Sequence, residues 1–252
     1  MSTGAKRPGS GNEAVDGDPA AGSRRWWFAF AVIVVAVLAA GAFMLLRAGS
    51  LTRVVGAAST PTPSIPEIAR QQVWTSDTPA SGTFLTNTIA LPPAIPAPKV
   101  VRYQVKVEDS TGLDADAVAR EVQATFDDPR GWAGYGKRTF ELVTDPEQAG
   151  LVIFVASPPT TNELCKPAKV ESKWNCRVGR TVALNSDRWQ YMTPTYDDLG
   201  AYRSYLVNHE VGHFLGLGHS TCPREGAPAP VMMQQSIKLG GCTPNAWPKL
   251  AD

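Results

Sequence analysis

All three histidines of this 252-residue chain fall within eleven positions, in the stretch VNHEVGHFLGLGHSTC at residues 207–222. No other feature restricts the fold as strongly. Leu199, Tyr202, Leu206, His209 and His213 recur at three- and four-residue spacing and so share one helical face. His209 and His213 then stand one turn apart on the same side, where two imidazoles can hold one metal ion. Glu210, beside the first, can reach a water on that metal. On a continued helix His219 would be rotated about 240° away and displaced ~9 Å along the axis, too far to share the ion. The helix must therefore stop, and Gly216 stands where a left-handed turn would end it. Gly218 adds further freedom. A chain folded back here brings His219 to a third ligand position and leaves a fourth open for water, the arrangement of a catalytic zinc. At the start of the helix, Thr195 to Asp198 reads as a capping box with Thr195 as N-cap.

The rest of the chain divides by composition. Residues 1–25 have almost no apolar content and read as a disordered tail. Residues 26–46, WWFAFAVIVVAVLAAGAFMLL, carry no charge. As a helix they span about 31 Å, enough to cross a bilayer. A cleaved signal peptide is the rival reading, but the apolar run continues beyond its Ala40-Gly41-Ala42 pattern, which favours an uncleaved anchor. Lys6, Arg7, Arg24 and Arg25 precede the run and only Arg47 and Arg53 closely follow it, which places the N-terminus in the cytoplasm and the remainder outside. Cys165, Cys176, Cys222 and Cys242 all lie in that outer part, with no C-x-x-C pair. Two disulfides follow, and proximity favours Cys165–Cys176 and Cys222–Cys242.

Residues 47–79 read as a proline-stiffened stalk. Residues 80–252 then carry a strand–helix–strand–strand pattern. Strands are expected at 100–109, 138–145, 150–157 and 180–187, with a helix over 114–126 and further β character at 82–91. GLVIFVAS (150–157) is apolar enough to be a buried central strand. The order predicts an α/β (α+β) domain with a twisted mixed sheet. There is no internal repeat and no glycine-rich phosphate loop. The net charge of +1 gives no reason to expect a nucleic-acid partner. Lys166, Lys169, Lys173, Arg177 and Arg180 make one stretch locally basic; a solvated loop is the plainer reading, and contact with an anionic envelope polymer the other.

His209-Glu210-Val211-Gly212-His213-Phe214-Leu215-Gly216-Leu217-Gly218-His219 resembles the metzincin zinc-peptidase signature H-E-x-x-H-x-x-G-x-x-H at every fixed position. The resemblance implies a zincin domain with an active-site helix and a methionine turn beneath the metal. Pro230-Val231-Met232-Met233 is similar to that turn, with Met232 as the floor residue and Met233 as the alternative. DDPRGW, HEVGHFLGLGH, PAPVMMQQ and GGCTPN are similar to stretches of an uncharacterised family of membrane-anchored, metzincin-like proteins of actinobacteria, over roughly residues 80–252. Two features depart from metzincin branches. Gln234 stands where astacin- and serralysin-type enzymes have a tyrosine, and no cysteine between the span and the domain could form a matrixin-like switch.

The expectation is a single-pass membrane protein with an extracytoplasmic zinc endopeptidase domain and a protein or peptide substrate. His209, His213 and His219 would hold one Zn²⁺, Glu210 would act as general base and acid, and Met232 would support the site without ligating. The rivals are a non-catalytic envelope-binding protein with a zinc clamp, and a zinc hydrolase of a cell-wall amide.

Overall fold

The computed structural model describes residues 65–250. The expected cytoplasmic tail, the anchor at 26–46 and the stalk up to residue 64 lie outside that range. Among the described residues no helix is long and apolar enough to cross a membrane.

A six-stranded, open, mixed sheet organises the domain. The strands are β1 (Phe84–Thr86), β2 (Lys99–Glu108), β3 (Arg138–Leu142), β4 (Leu151–Ala156), β5 (Cys176–Val178) and β6 (Thr181–Asn185). Strands β2, β3, β4 and β6 pair in parallel, whereas β1 and β5 add antiparallel edges. The long β2 pairs with β4 on one side. Its other side is shared end to end, by β3 along Lys99–Tyr103 and by β1 along Lys106–Glu108. The apolar run expected to be central is β4, which sits between β2 and β6.

Among the described residues five α-helices accompany the sheet: α1 (Glu67–Gln71), α2 (Ala115–Asp127), α3 (Pro158–Leu164), α4 (Ser186–Tyr191) and α5 (Leu199–Phe214). Alternation along the strands decides what each face meets. Tyr103, Val105, Ile153, Val182 and Leu184 share one core with α2 and α5. Ala183, between the last two, turns the other way into a small cluster with Cys165, Val170 and Cys176. On α2, Val118, Val122 and Phe126 form the buried stripe, with Phe126 stacked on Phe140 at 4.0 Å between ring centroids. The helix starts at Asp114, whose carboxylate accepts from the Ala117 amide at 2.7 Å.

The strand and helix expectations hold to within a few residues, with three corrections. The stalk does not run to residue 79. Ala69 is buried, Trp74 meets Tyr191 edge-on at 4.9 Å, and the Ser76 amide and hydroxyl donate to Asp187 at 2.6 and 2.7 Å. The buried Arg188 guanidinium also donates to the Trp74 carbonyl. Trp74 and Ser76 have partners on α4, so the prolines before them do not decide the segment's fate.

The second correction concerns the helix cap. Asp198, not Thr195, caps α5, accepting from the Ala201 amide at 2.6 Å. The Thr195 hydroxyl instead pairs with Thr193 at 2.8 Å, while Tyr196 turns into the core. Third, the 180–187 strand ends at Asn185, whose side chain caps α4 by accepting from the Asp187 amide at 2.9 Å.

Both disulfides form as proximity favoured, Cys165–Cys176 and Cys222–Cys242. Each closes a short loop that flanks the histidine site.

Candidate metal centre

Helix α5 ends where the histidine geometry requires. Gly216 takes φ +93°, a left-handed conformation that suits glycine. The Leu217 amide donates to the Gly212 carbonyl at 3.0 Å and the Gly216 amide to the His213 carbonyl at 3.0 Å, a Schellman-type ending. The chain then doubles back, and the Ser220 amide donates to the Met232 carbonyl at 3.1 Å. This return brings His219 beside the other two histidines, and the ligand nitrogens of all three lie within 4.8 Å of one another.

The imidazoles are oriented by their second nitrogens. Nδ1 of His209 bonds the Val231 carbonyl at 2.8 Å, and Nδ1 of His213 bonds the Leu217 carbonyl at 2.8 Å. A carbonyl only accepts, so each Nδ1 carries a proton and each ring turns its Nε2 inward. Nε2 of His213 lies 3.1 Å from Nε2 of His219. Two ligand nitrogens on a tetrahedral zinc, each at about 2.0–2.1 Å, would stand about 3.3 Å apart. The donor set therefore fits a metal ion, and its closest pair already stands near zinc spacing. Burial pushes the His209 pKa down to about 4, with the two neighbouring histidines adding to the effect. Burial also lowers that of His219. Both shifts keep the rings neutral and ready to ligate.

Glu210 is buried beside this cluster and lines the same cleft, of about 560 Å³. Burial raises its pKa to about 8 in the metal-free chain. A cation placed at the histidines would favour its charged form. The carboxyl is thus poised to gain or lose a proton near neutral pH.

The floor beneath α5 comes from the turn after residue 229. Of the two methionines, Met232 packs under the helix. A Cβ added at Gly212 would lie 2.2 Å from its sulfur and 3.1 Å from Cζ2 of Trp132. Met233 turns away into a cluster with Ala227, Ala229 and Cys242, beside the Cys222–Cys242 disulfide. The turn is further tied to α5 through Tyr205, whose hydroxyl donates to the Met233 carbonyl at 3.0 Å and accepts from the Gln235 amide at 2.9 Å. Gln235 in turn accepts from the Tyr196 hydroxyl and donates to the Asn245 carbonyl, both at 2.8 Å.

Apart from the two methionines, these supporting residues have no role assigned from sequence. Gly212 alone carried a signal, because glycine inside a helix costs about 1 kcal/mol relative to alanine and calls for a packing reason. Trp132, whose Nε1 donates to the Asn208 carbonyl at 2.9 Å, and Gln235 lie in the stretches DDPRGW and PAPVMMQQ, where no local periodicity gives either a packing role.

The family model described as a protein of unknown function (DUF3152) matches residues 75–247. The chain belongs to this family. The match begins beside Trp74 and Ser76, on the segment that packs against α4, and spans the whole histidine site. Searches of curated proteins and of solved structures found no match.

Proposed function

We propose that this DUF3152 chain is a zinc-dependent endopeptidase of metzincin type, held at the membrane by residues 26–46 and acting outside the cytoplasm. The observation that carries the reading is the convergence of three inward-facing imidazoles on one open cleft, with the buried Glu210 beside them. His209, His213 and His219 would hold the ion. Zinc, when bound, supplies Lewis acidity for a carbonyl and makes water a nucleophile at neutral pH. Glu210 accepts the water's proton on its carboxylate and returns it to the leaving amine. Met232 keeps the floor of the helix closed, and the Val231 and Leu217 carbonyls hold two ligand rings in the required tautomer.

A purely structural clamp would ordinarily use a fourth protein ligand. Among the described residues the cluster has three histidines and no further ligand, and all four cysteines are in disulfides. Those disulfides also favour an oxidising, extracytoplasmic setting.

The test is metal content and peptide-library cleavage by the full chain in detergent, beside Glu210→Ala. The proposal expects about one zinc per chain, cleavage by the wild type, and zinc retained without cleavage in the variant. Equal cleavage by both proteins would remove Glu210 from the mechanism. Zinc without cleavage in either would turn the reading toward a binding module or an amide of the cell wall.

A further inference from the structure

The cleft has a charge that the chain as a whole does not. The protein carries 24 Lys and Arg against 23 Asp and Glu, close to neutral. One wall of the cleft is the segment from Ala168 to Arg177, the basic stretch of the sequence, and it presents Lys169 and Arg177. Continuing past Ile237, an adjoining hollow of about 320 Å³ adds Lys238. Among the described residues the only acid lining either hollow is the buried Glu210.

The neighbouring cations are already engaged. Lys166 pairs with Glu163 at 2.6 Å, Lys173 lies 3.8 Å from Glu171, and Arg180 donates to the Ala149 carbonyl at 3.2 Å. Lys169, Arg177 and Lys238 are exposed and have no acidic partner among the described residues.

This wall is also held in place. The Cys165–Cys176 disulfide closes it, the Ser172 amide donates to Asn162 at 2.8 Å, and Asn185 donates to the Ser172 carbonyl at 2.9 Å. Glu171 and Ser172 sit at φ 54° and 55°, a left-handed pair sustained by those ties. A loop fixed in this way loses little freedom when it binds a ligand.

Resting on the peptidase reading, we infer that the cleft selects acidic polypeptides, with side-chain carboxylates near the scissile bond held by Lys169 and Arg177 and a more distant one by Lys238. An extended polypeptide is the occupant the wall favours, because β5 ends the sheet and among the described residues its outer edge has no strand beside it. Backbone groups left open at such an edge match another backbone in register. Trp174 in the same wall offers apolar surface to the stem of an acidic side chain.

The experiment uses the full chain in detergent and a peptide library with Asp or Glu, Asn or Gln, or Lys or Arg at each position flanking the cleaved bond. The expected result is that one or two acidic positions raise kcat/KM about tenfold over their amide counterparts, the sum of two modest ion pairs, and that added salt reduces this gain. Lys169→Ala/Arg177→Ala should abolish the preference, while Lys166→Ala/Lys173→Ala, on the paired cations, should keep it. Equal cleavage of acidic and amide peptides by the wild type, or a preference that survives in the first double variant, overturns the inference and leaves the peptidase reading intact.

If the wild type cleaves nothing, the peptidase reading fails, and binding decides the inference about the cleft. The probe is then a fluorescein-labelled decapeptide rich in Asp and Glu, compared by anisotropy with its Asn and Gln counterpart on Glu210→Ala. Acid-selective binding that is lost when Lys169→Ala/Arg177→Ala is added supports the acidic polypeptide. Equal binding, or tighter binding of poly(glycerol phosphate) than of the acidic peptide, overturns it.

Discussion

Gly212→Ala gives the sharpest test of how the floor is built, because propensity and packing demand opposite signs. Alanine inside a helix is favoured over glycine by about 1 kcal/mol. At this position its Cβ would sit 2.2 Å from the Met232 sulfur, well inside the ordinary contact distance of about 3.5–4.0 Å. The sulfur would have to move by more than about 1 Å. It has little room, since Met232 is buried and Trp132 Cζ2 lies 3.1 Å from the same point. The indole is itself held by the Asn208 carbonyl. Overpacking of this kind costs about 1–3 kcal/mol. The net expectation is a loss of up to about 2 kcal/mol, which in a domain of this size is a fall of up to roughly 8 °C in Tm.

The strain should also reach the metal ligands. Val231, next to Met232, holds His209 by its carbonyl, and loss of such an orienting contact weakens metal binding about 10–100-fold. The assays are urea melts of the metal-free chain and competitive zinc titration. Gly218→Ala is the control, because an added Cβ there meets nothing within 4 Å, and it should stay within about 0.5 kcal/mol. Met232→Ala should cost less in the Gly212→Ala background than in the wild type, because there it also clears the clash. A Gly212→Ala protein more stable than wild type, with unchanged zinc affinity, would refute the packing account.

Two further outcomes follow from groups away from the centre. Burial alone would raise the pKa of Glu108, but the amides of Ser81, Gly82 and Ser157 and the Thr160 hydroxyl donate to its carboxylate at 2.7–2.9 Å and hold it below its ordinary value of 4.5. A folded pKa below the unfolded one contributes stability above the unfolded value, and that stability is lost as pH falls through the folded value. Glu108→Gln should therefore cost about 2–3 kcal/mol at pH 7 and flatten the decline below about pH 4.5, as read by urea melts across pH; an unchanged acid limb would contradict this. Removing the Cys222–Cys242 link with a serine pair opens a loop of sequence separation 20 and should cost about 3 kcal/mol in chain entropy. The Met233 cluster should loosen with it, visible as faster amide exchange over residues 227–243, and protection equal to wild type would count against the role assigned to the link.

Much of the site was legible because its rules are local. The i, i+4 spacing of His209 and His213 follows from helix geometry, and the need for a turn at Gly216 follows from the position of His219. Strand alternation located β2, and the apolar run located β4, for the same reason: the side-chain period is a property of the backbone. Proximity found both disulfides because short loops are the easiest to close. The failures came where competing partners were far away in sequence. Thr195 and Asp198 could each serve as N-cap, and only the burial of Tyr196 and the pairing of Thr195 with Thr193 decided between them. Residues 65–79 resemble a linker until Ala69, Trp74 and Ser76 are placed against the domain. The sequence by itself determined that three imidazoles and one carboxyl would meet, since helix and turn geometry leave them little choice. Only the tertiary structure decided which methionine closes the floor, why position 212 must lack a side chain, and that a basic loop is a wall of the cleft, because each depends on distant segments brought within van der Waals or Coulomb range by the folded sheet.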